Sequence, residues 1–266
     1  MIPTALTIAG SDSGGGAGVQ ADLRTFAFHR VHGASVLTCV TAQNTLGVTR
    51  VESVSIPMIV SQIETVMGDL MVKAVKTGML LNAEIIEIVS QQLLSRKIEQ
   101  LVVDPVMVSR TGAQLIDDRA IASLQNCLLP QALIVTPNIY EAQILSGIEI
   151  KTLEAMKQAA AIIQNKYGVA VVLVKGGGIS GKNKGVDIWF DGNNYQTLTT
   201  EVVETKNTHG TGCTLSSAIA ANLVCGKDLW LAVQEAKTYV TNALKHSLEI
   251  GAGNGPVGHF FPLLTG

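Results

Sequence analysis

Short runs of apolar, mostly Val, Leu and Ile, residues alternate along the chain with longer stretches in which apolar positions recur every three or four residues. The short runs are residues 5–9, 35–40, 74–77, 100–104, 132–135 and 169–175. Continuous rather than alternating apolar character predicts strands covered on both faces, as in a parallel sheet. Helical periodicity falls between them, over residues 18–31, 57–70, 83–94, 118–128, 152–167, 211–224 and 228–248. In the last, Leu229, Ala232, Val233, Ala236, Val240, Ala243 and Leu244 share one face. Asp118 and Asp228 are expected as N-caps, and Pro57 as an early helical residue. The β-α-β-α order predicts a mostly parallel sheet with helices on both faces. Residues 186–191 and 195–200 depart from it. They read as a hairpin around Gly192-Asn193-Asn194, placed at a sheet edge. No compositional break marks a linker, so one domain over residues 1–266 is expected.

In such sheets ligands bind beyond the carboxyl ends of the strands. The residues found there include Gly10-Ser11-Asp12, Gln43-Asn44, Gly78-Met79, Asp104-Pro105-Val106, Pro137-Asn138 and Lys175-Gly176-Gly177. Two glycine-rich loops stand out. The first runs from Ala9 to Gly18. Gly14 and Gly16 are followed by Val19 where a dinucleotide fingerprint needs its third Gly, and no Gly-Lys-Ser/Thr follows. It reads either as a plain strand–helix turn or as backbone brought close to a ligand, with Asp12 and Asp22 as hydrogen-bond acceptors. The second loop, Asn207-Thr208-His209-Gly210-Thr211-Gly212-Cys213-Thr214, opens directly into an apolar helix. Amides at a helix start, freed by Gly and helped by the helix dipole, make an anion hole. Phosphoryl transfer, which depends on positioning and charge stabilisation, needs such a hole.

Composition narrows the possibilities. The 266 residues carry a net charge of −2, with no clustered Lys and Arg, which argues against nucleic acid. Apolar runs stay below a membrane span, and no export signal is visible at the N-terminus. Cys39, Cys127, Cys213 and Cys225 form no CxxC pair. They read as reduced thiols of a cytoplasmic protein, three of them as small core residues and Cys213 as the exception.

Gly210-Thr211-Gly212-Cys213 opening a small-residue helix resembles the C-terminal signature of ribokinase-like kinases. Most of that family carries Asp at the fourth position. Cys there is typical of the hydroxymethylpyrimidine and phosphomethylpyrimidine kinases of thiamine biosynthesis. The segments 6–12, 15–22, 42–45, 76–80, 103–107, 136–138, 174–177 and 206–212 are similar to the same branch, in order, across nearly the whole chain. The resemblance implies a three-layer α/β/α ribokinase-like fold with a mostly parallel central sheet and a small edge hairpin. It implies ATP and Mg²⁺ as cofactors, and phosphorylation of 4-amino-5-hydroxymethyl-2-methylpyrimidine first to its monophosphate and then to its diphosphate. It also suggests a homodimer.

Carried onto this chain, the resemblance and the residue chemistry give a candidate site. Cys213 is the catalytic base, its thiol pKa lowered by a helix N-terminus, or else a small residue that merely fits. Gly210, Thr211 and Gly212 form the anion hole. Lys175, at the end of an apolar strand, needs an anionic partner, either ATP phosphate or a structural carboxylate. Asn138-Ile139-Tyr140-Glu141 matches the family's NxxE motif, so Asn138 joins Lys175, Thr211 and Gly212 at the nucleotide. Asp104 and Glu141 are the metal carboxylates, or a turn residue and a first-turn helix acid. Gln43 offers both donor and acceptor to an aminopyrimidine ring, with Asp22, Ala17, Gly18, Met79 and Val106 around it. Met79 and Val106 could equally be core, and His209 structural or phosphate-adjacent. A pyridoxal kinase of the same fold is the nearest competing reading. A silent ligand-binding relative conflicts with Lys175, Asp104, Glu141 and the intact loop. A dehydrogenase conflicts with the failed glycine spacing.

Overall fold

The computed structural model describes residues 2–107, 115–179 and 181–264. Its elements in chain order are β1 (Thr4–Asp12), α1 (Gly18–Phe28), β2 (His32–Asn44), β3 (Gly47–Ser53), α2 (Ile56–Asp69), β4 (Val72–Thr77), α3 (Ala83–Ser95), β5 (Leu101–Val103), α4 (Asp118–Ser123), β6 (Ile134–Val135), α5 (Ile139–Ser146), α6 (Leu153–Tyr167), β7 (Val171–Val174), β8 (Asp187–Phe190), β9 (Tyr195–Leu198), α7 (Thr211–Val224) and α8 (Leu229–Lys245). They fall into two compact units. One is Met1–Leu80 with Val203–Gly266, and the other is Leu81–Val202.

In the first unit the strands lie in the order β3-β2-β1-β4. β1 is parallel to β2 and β4, while β3 runs antiparallel to β2. Ala5, Leu6, Ile8 and Ala9 of β1 are wholly buried, as in a strand covered on both faces. α7 packs on β1, β4 and α1, with α8 against it. Every α7 residue from Thr214 to Val224 is buried, and its many Ala and Ser side chains allow close approach. A charge cluster lies in this core. Lys76 Nζ of β4 donates to both carboxylate oxygens of Asp22 in α1, at 2.9 and 2.8 Å. Both side chains are fully buried. Thr7 donates to the same carboxylate at 2.6 Å, and Ser217 of α7 at 2.5 Å. One ion pair thus joins two strands and two helices.

In the second unit the order is β5-β6-β7-β8-β9. β5, β6 and β7 are parallel, and β8 and β9 add antiparallel. The expected hairpin is present at this edge. Asp191 Oδ1 accepts from the amides of Asn193 and Asn194, and Gly192 takes φ +90°, so the turn is built by a local side-chain acceptor and a glycine. α6 packs on β7 and β8, and α5 on α6.

The differences from the sequence reading have physical causes. β3 was not expected, because every one of its residues is exposed and no buried face left a pattern. β1 and β2 run on past their apolar stretches to Asp12 and Asn44. α5 was not expected: it is short, without an amphipathic face, opened by a capping box and ended by Gly147 in the left-handed conformation. The helix expected at 118–128 is α-helical only to Ser123 and continues as a π turn over Leu124–Leu128. Its N-cap is Asp117, which accepts from Ala120 N, and Asp118 is the first helical residue. Asp228 caps α8 as expected. Of the cysteines read as core, only Cys39 is buried. Cys127 is half-buried, and Cys225, at the end of α7, is exposed.

Removing one member of a buried ion pair leaves the other charge unsolvated. Lys76→Met should therefore destabilise the protein by about 3–5 kcal/mol in urea unfolding, far more than loss of a surface pair at about 0–1 kcal/mol. A loss in the surface range would show that the pair does not hold the core.

Candidate active site

Asp12, the last residue of β1, organises the first glycine loop. Its Oδ1 accepts from Gly14 N at 2.8 Å, and its Oδ2 from Gly16 N at 3.0 Å and Ala17 N at 2.8 Å. Asp12 is buried, and burial alone pushes its carboxyl pKa upward. The bond from His209 and the loop amides outweigh burial and hold it below the ordinary range. His209 Nε2 lies 2.8 Å from Oδ2, so the second glycine loop is fastened to the first through this carboxylate. The backbones also meet. A Cβ on Gly16 would lie 2.2 Å from His209 Cδ2, and one on Gly210 would lie 1.9 Å from the Gly16 carbonyl oxygen. Gly210 is also left-handed, with φ +83°.

Gly210 is the N-cap of α7, and the helical ladder opens with Thr214 N to Gly210 O at 2.9 Å. The amides of Gly212 and Cys213 therefore occupy the positions that precede the first i→i−4 bond of a helix. Thr211 turns back, its Oγ1 donating to Thr208 O at 2.6 Å. The Thr208 hydroxyl is buried with no hydrogen-bond partner in the loop. Cys213, third residue of α7, is partly exposed. Such a helix start, with a thiol inside its first turn, has the geometry to receive an anion.

Gln43, near the end of β2, is half-buried. Ser13 and Gln43 exchange hydrogen bonds: Ser13 Oγ donates to Gln43 O at 2.9 Å and accepts from Gln43 N at 2.8 Å. The Gln43 side chain accepts from Thr41 Oγ1 at 3.2 Å, and its Nε2 lies 3.4 Å from His209 Nε2. Ala17 and Gly18 form the start of α1. A Cβ on Gly18 would lie 2.4 Å from Gly10 O, at φ +57°. Half-buried Met79 is fixed through its carbonyl, which accepts from Thr38 Oγ1 at 2.7 Å. Asp22 is a correction. Expected to meet the ligand, it is instead wholly buried and taken up by Lys76, Thr7 and Ser217.

In the second unit Lys175, just after β7, donates from Nζ to Asp104 Oδ1 at 3.0 Å. Asp104 follows β5, and Val106, half-buried, returns its amide to Asp104 O at 2.9 Å. Asn138 and Glu141 form the capping box of α5: Asn138 Oδ1 accepts from Glu141 N at 3.0 Å, and Glu141 Oε2 from Asn138 N at 2.8 Å. Glu141 is therefore both the first-turn acid and part of a charge cluster. Its pKa is raised to about 8: burial is the main cause, Lys175 pulls against the rise, and Asp104 adds to it. Among the described residues no three His, Cys, Asp or Glu side chains gather as a metal cage. Two buried carboxylates beside Lys175 nevertheless fit a hard divalent cation that takes its remaining ligands from water and phosphate oxygens.

The long-range fastening of Asp12 by His209 and the burial of Asp22 on Lys76 were not legible beforehand. Only the short Asp12–Gly14 spacing, typical of a side chain that closes its own turn, signalled part of it.

Comparison with known proteins shows the family. A family model described as phosphomethylpyrimidine kinase matches residues 12–258. The chain is 56% identical over 262 residues to a hydroxymethylpyrimidine/phosphomethylpyrimidine kinase of Synechococcus elongatus, covering 98% of this chain and 99% of that one. To the corresponding Bacillus subtilis kinase it is 43% identical over 259 residues, covering 97% and 95%. Among solved structures, an ADP complex of Bacillus subtilis pyridoxal kinase matches with TM-score 0.93 and 36% identity, over 100% of both chains. A phosphomethylpyrimidine kinase from Clostridium difficile matches with TM-score 0.82 and 42% identity, over 92% of this chain and 100% of that one. The ribokinase-like α/β fold expected from the sequence is thus the fold of this chain, which belongs to the phosphomethylpyrimidine kinase family.

Proposed function

We propose that this protein transfers the terminal phosphoryl group of ATP to the hydroxymethyl oxygen of 4-amino-5-hydroxymethyl-2-methylpyrimidine, and then a second one to the resulting monophosphate. The observation that carries the reading is the α7 start, where glycine contacts hold amides and the Cys213 thiol in one turn. In this reading Gly210, Thr211 and Gly212 receive the transferring phosphoryl group, and Cys213 takes the substrate hydroxyl proton. Gln43 reads the ring nitrogen and amino group, with Ala17, Gly18, Met79 and Val106 as walls. Asn138 and Lys175 serve the nucleotide phosphates. Asp104 and Glu141 would hold Mg²⁺, which when bound neutralises charge on the phosphate oxygens.

The family match over residues 12–258 supports a single kinase domain through the chain. A homodimer is part of the proposal. β3, wholly exposed at a sheet edge, supports it, since an unpaired edge offers a template for a second copy. A cytoplasmic location is also proposed, from four free cysteines. No helix among the described residues is long and apolar enough to cross a membrane. Pyridoxal phosphorylation is the second reading, favoured by the likeness to the pyridoxal kinase structure.

The deciding assay gives the protein Mg·ATP with the hydroxymethylpyrimidine, and with pyridoxal in parallel, and follows products by mass. Monophosphate then diphosphate of the pyrimidine is expected. Pyridoxal phosphate alone would overturn the assignment. In single-turnover measurements Cys213→Ala should slow the first transfer more than the second, because a substrate phosphate already attacks as an anion. Equal slowing of both would remove the base role from Cys213.

Glu141 adds a pH signature. Its folded pKa lies above the ordinary 4.5, so the folded state holds a proton there that the unfolded state releases. Metal-free stability should therefore fall as pH rises from about 4.5 to about 8, and Mg²⁺ should bind more tightly over the same window as it displaces that proton. Thermal melts and Mg²⁺ titrations across this range should flatten in Glu141→Gln. Wild-type curves already flat there would sink the idea.

A further inference from the structure

Residues 251–259 lie apart from the glycine loops in sequence, yet they are bonded both to the turn after Gln43 and to the loop that opens α7. They hold His209 by both backbone groups: His209 N donates to Gly255 O at 3.1 Å, and Val257 N to His209 O at 3.2 Å. His209 and Pro256 thereby form a parallel bridge. Gly255 N donates to Asn207 Oδ1 at 2.9 Å. At the other end the segment grips the turn after Gln43. Gly253 N donates to Thr45 Oγ1 at 3.1 Å, and Asn254 N to Thr45 O at 3.1 Å. Buried His259 meets Thr214 Oγ1 at 2.9 Å, and that hydroxyl also donates to Gly210 O at 2.8 Å.

The approach is as close as backbone allows. A Cβ on Gly253 would lie 2.0 Å from Thr45 O, one on Gly255 1.9 Å from Leu248 O, and one on Gly258 2.0 Å from His246 O. Small residues at these places are explained by contact rather than by chain flexibility.

We propose that residues 251–259 are a positioning strap that sets the distance between the substrate-reading turn at Gln43–Thr45 and the anion-receiving start of α7. The strap touches no reacting atom. It acts through His209, whose imidazole carries the constraint to Asp12 and the first loop, and through Thr214 at the helix start. The role rests on the kinase reading above, because its consequence is a slower transfer step. Misplacing reacting groups by about 1 Å costs up to about 100-fold in rate.

The test uses the full chain with Thr45→Val, which removes the acceptor for Gly253 N, and Thr45→Ser, which keeps it. Gly255→Ala is the stronger variant. Gly68→Ala is the control, since a Cβ there meets nothing within 4 Å. Two readouts are taken: kcat and KM for ATP in the pyrimidine kinase assay, and hydrogen exchange of the peptide covering residues 207–214. Thr45→Val should lower kcat between about 10- and 100-fold with KM for ATP little changed, and should speed exchange in that peptide. Thr45→Ser and Gly68→Ala should match the wild type. If kcat and exchange in Thr45→Val both equal the wild type, the strap has no positioning role. Loss that Thr45→Ser fails to restore, and that follows the melting temperature, would also overturn it. Exchange reports on the strap even if the wild type phosphorylates neither substrate, so failure of the kinase reading is separately visible. Should Gly255→Ala fail to fold, the Thr45 pair still decides the question.

Discussion

Two glycine loops pressed backbone to backbone are the constraint on which the first unit's site depends. A side chain at Gly210 would meet the Gly16 carbonyl and one at Gly16 the His209 ring, and the loops are joined by one carboxylate, Asp12, and that imidazole. From that contact follow the direction of the Gly14, Gly16 and Ala17 amides and the entry angle of α7. Asp12 can do this because its negative charge is answered by several donors at once, which offsets the cost of burying it.

Beneath the loops the same unit spends a second buried acid differently. Asp22 is shut in, wholly buried, with Lys76, Thr7 and Ser217. Two aspartates ten residues apart thus have opposite duties: one shapes a loop that meets solvent, and the other fixes the helices and strands beneath it. In the second unit the acids sit differently. Asp104 is bonded to Lys175, and Glu141 beside them is raised in pKa chiefly by its burial.

Much of this was legible in the residues. Continuous apolar runs located β1, β2, β4, β5, β6 and β7, because a strand covered on both faces has no polar alternation to hide it. The glycines at 210 and 212 marked the start of α7 to the residue. β3 was invisible for the converse reason, since none of its side chains is buried. Asp22 was misjudged because an acid beside a glycine loop and an acid under it look alike in one dimension. Only the fold reveals that Lys76, on β4, comes to meet it. The partners of His209, nearly two hundred residues before it at Asp12 and almost fifty after it at Gly255, left no local pattern at all.

The first unit is assembled from both ends of the sequence, Met1–Leu80 and Val203–Gly266, with the second unit encoded between them. A ribosome therefore produces β1, β2 and the Asp12 loop long before it reaches His209, and the segment that grips Thr45 and His209 later still. Domains tend to fold as they emerge, yet here the early loop must wait, without its partners, while some hundred and twenty intervening residues are made. The nascent chain carries an unfinished anion site with Asp12 unanswered by its imidazole. Joining of the two loops is thus a late step, possible only once residues 203–259 have followed the second unit out.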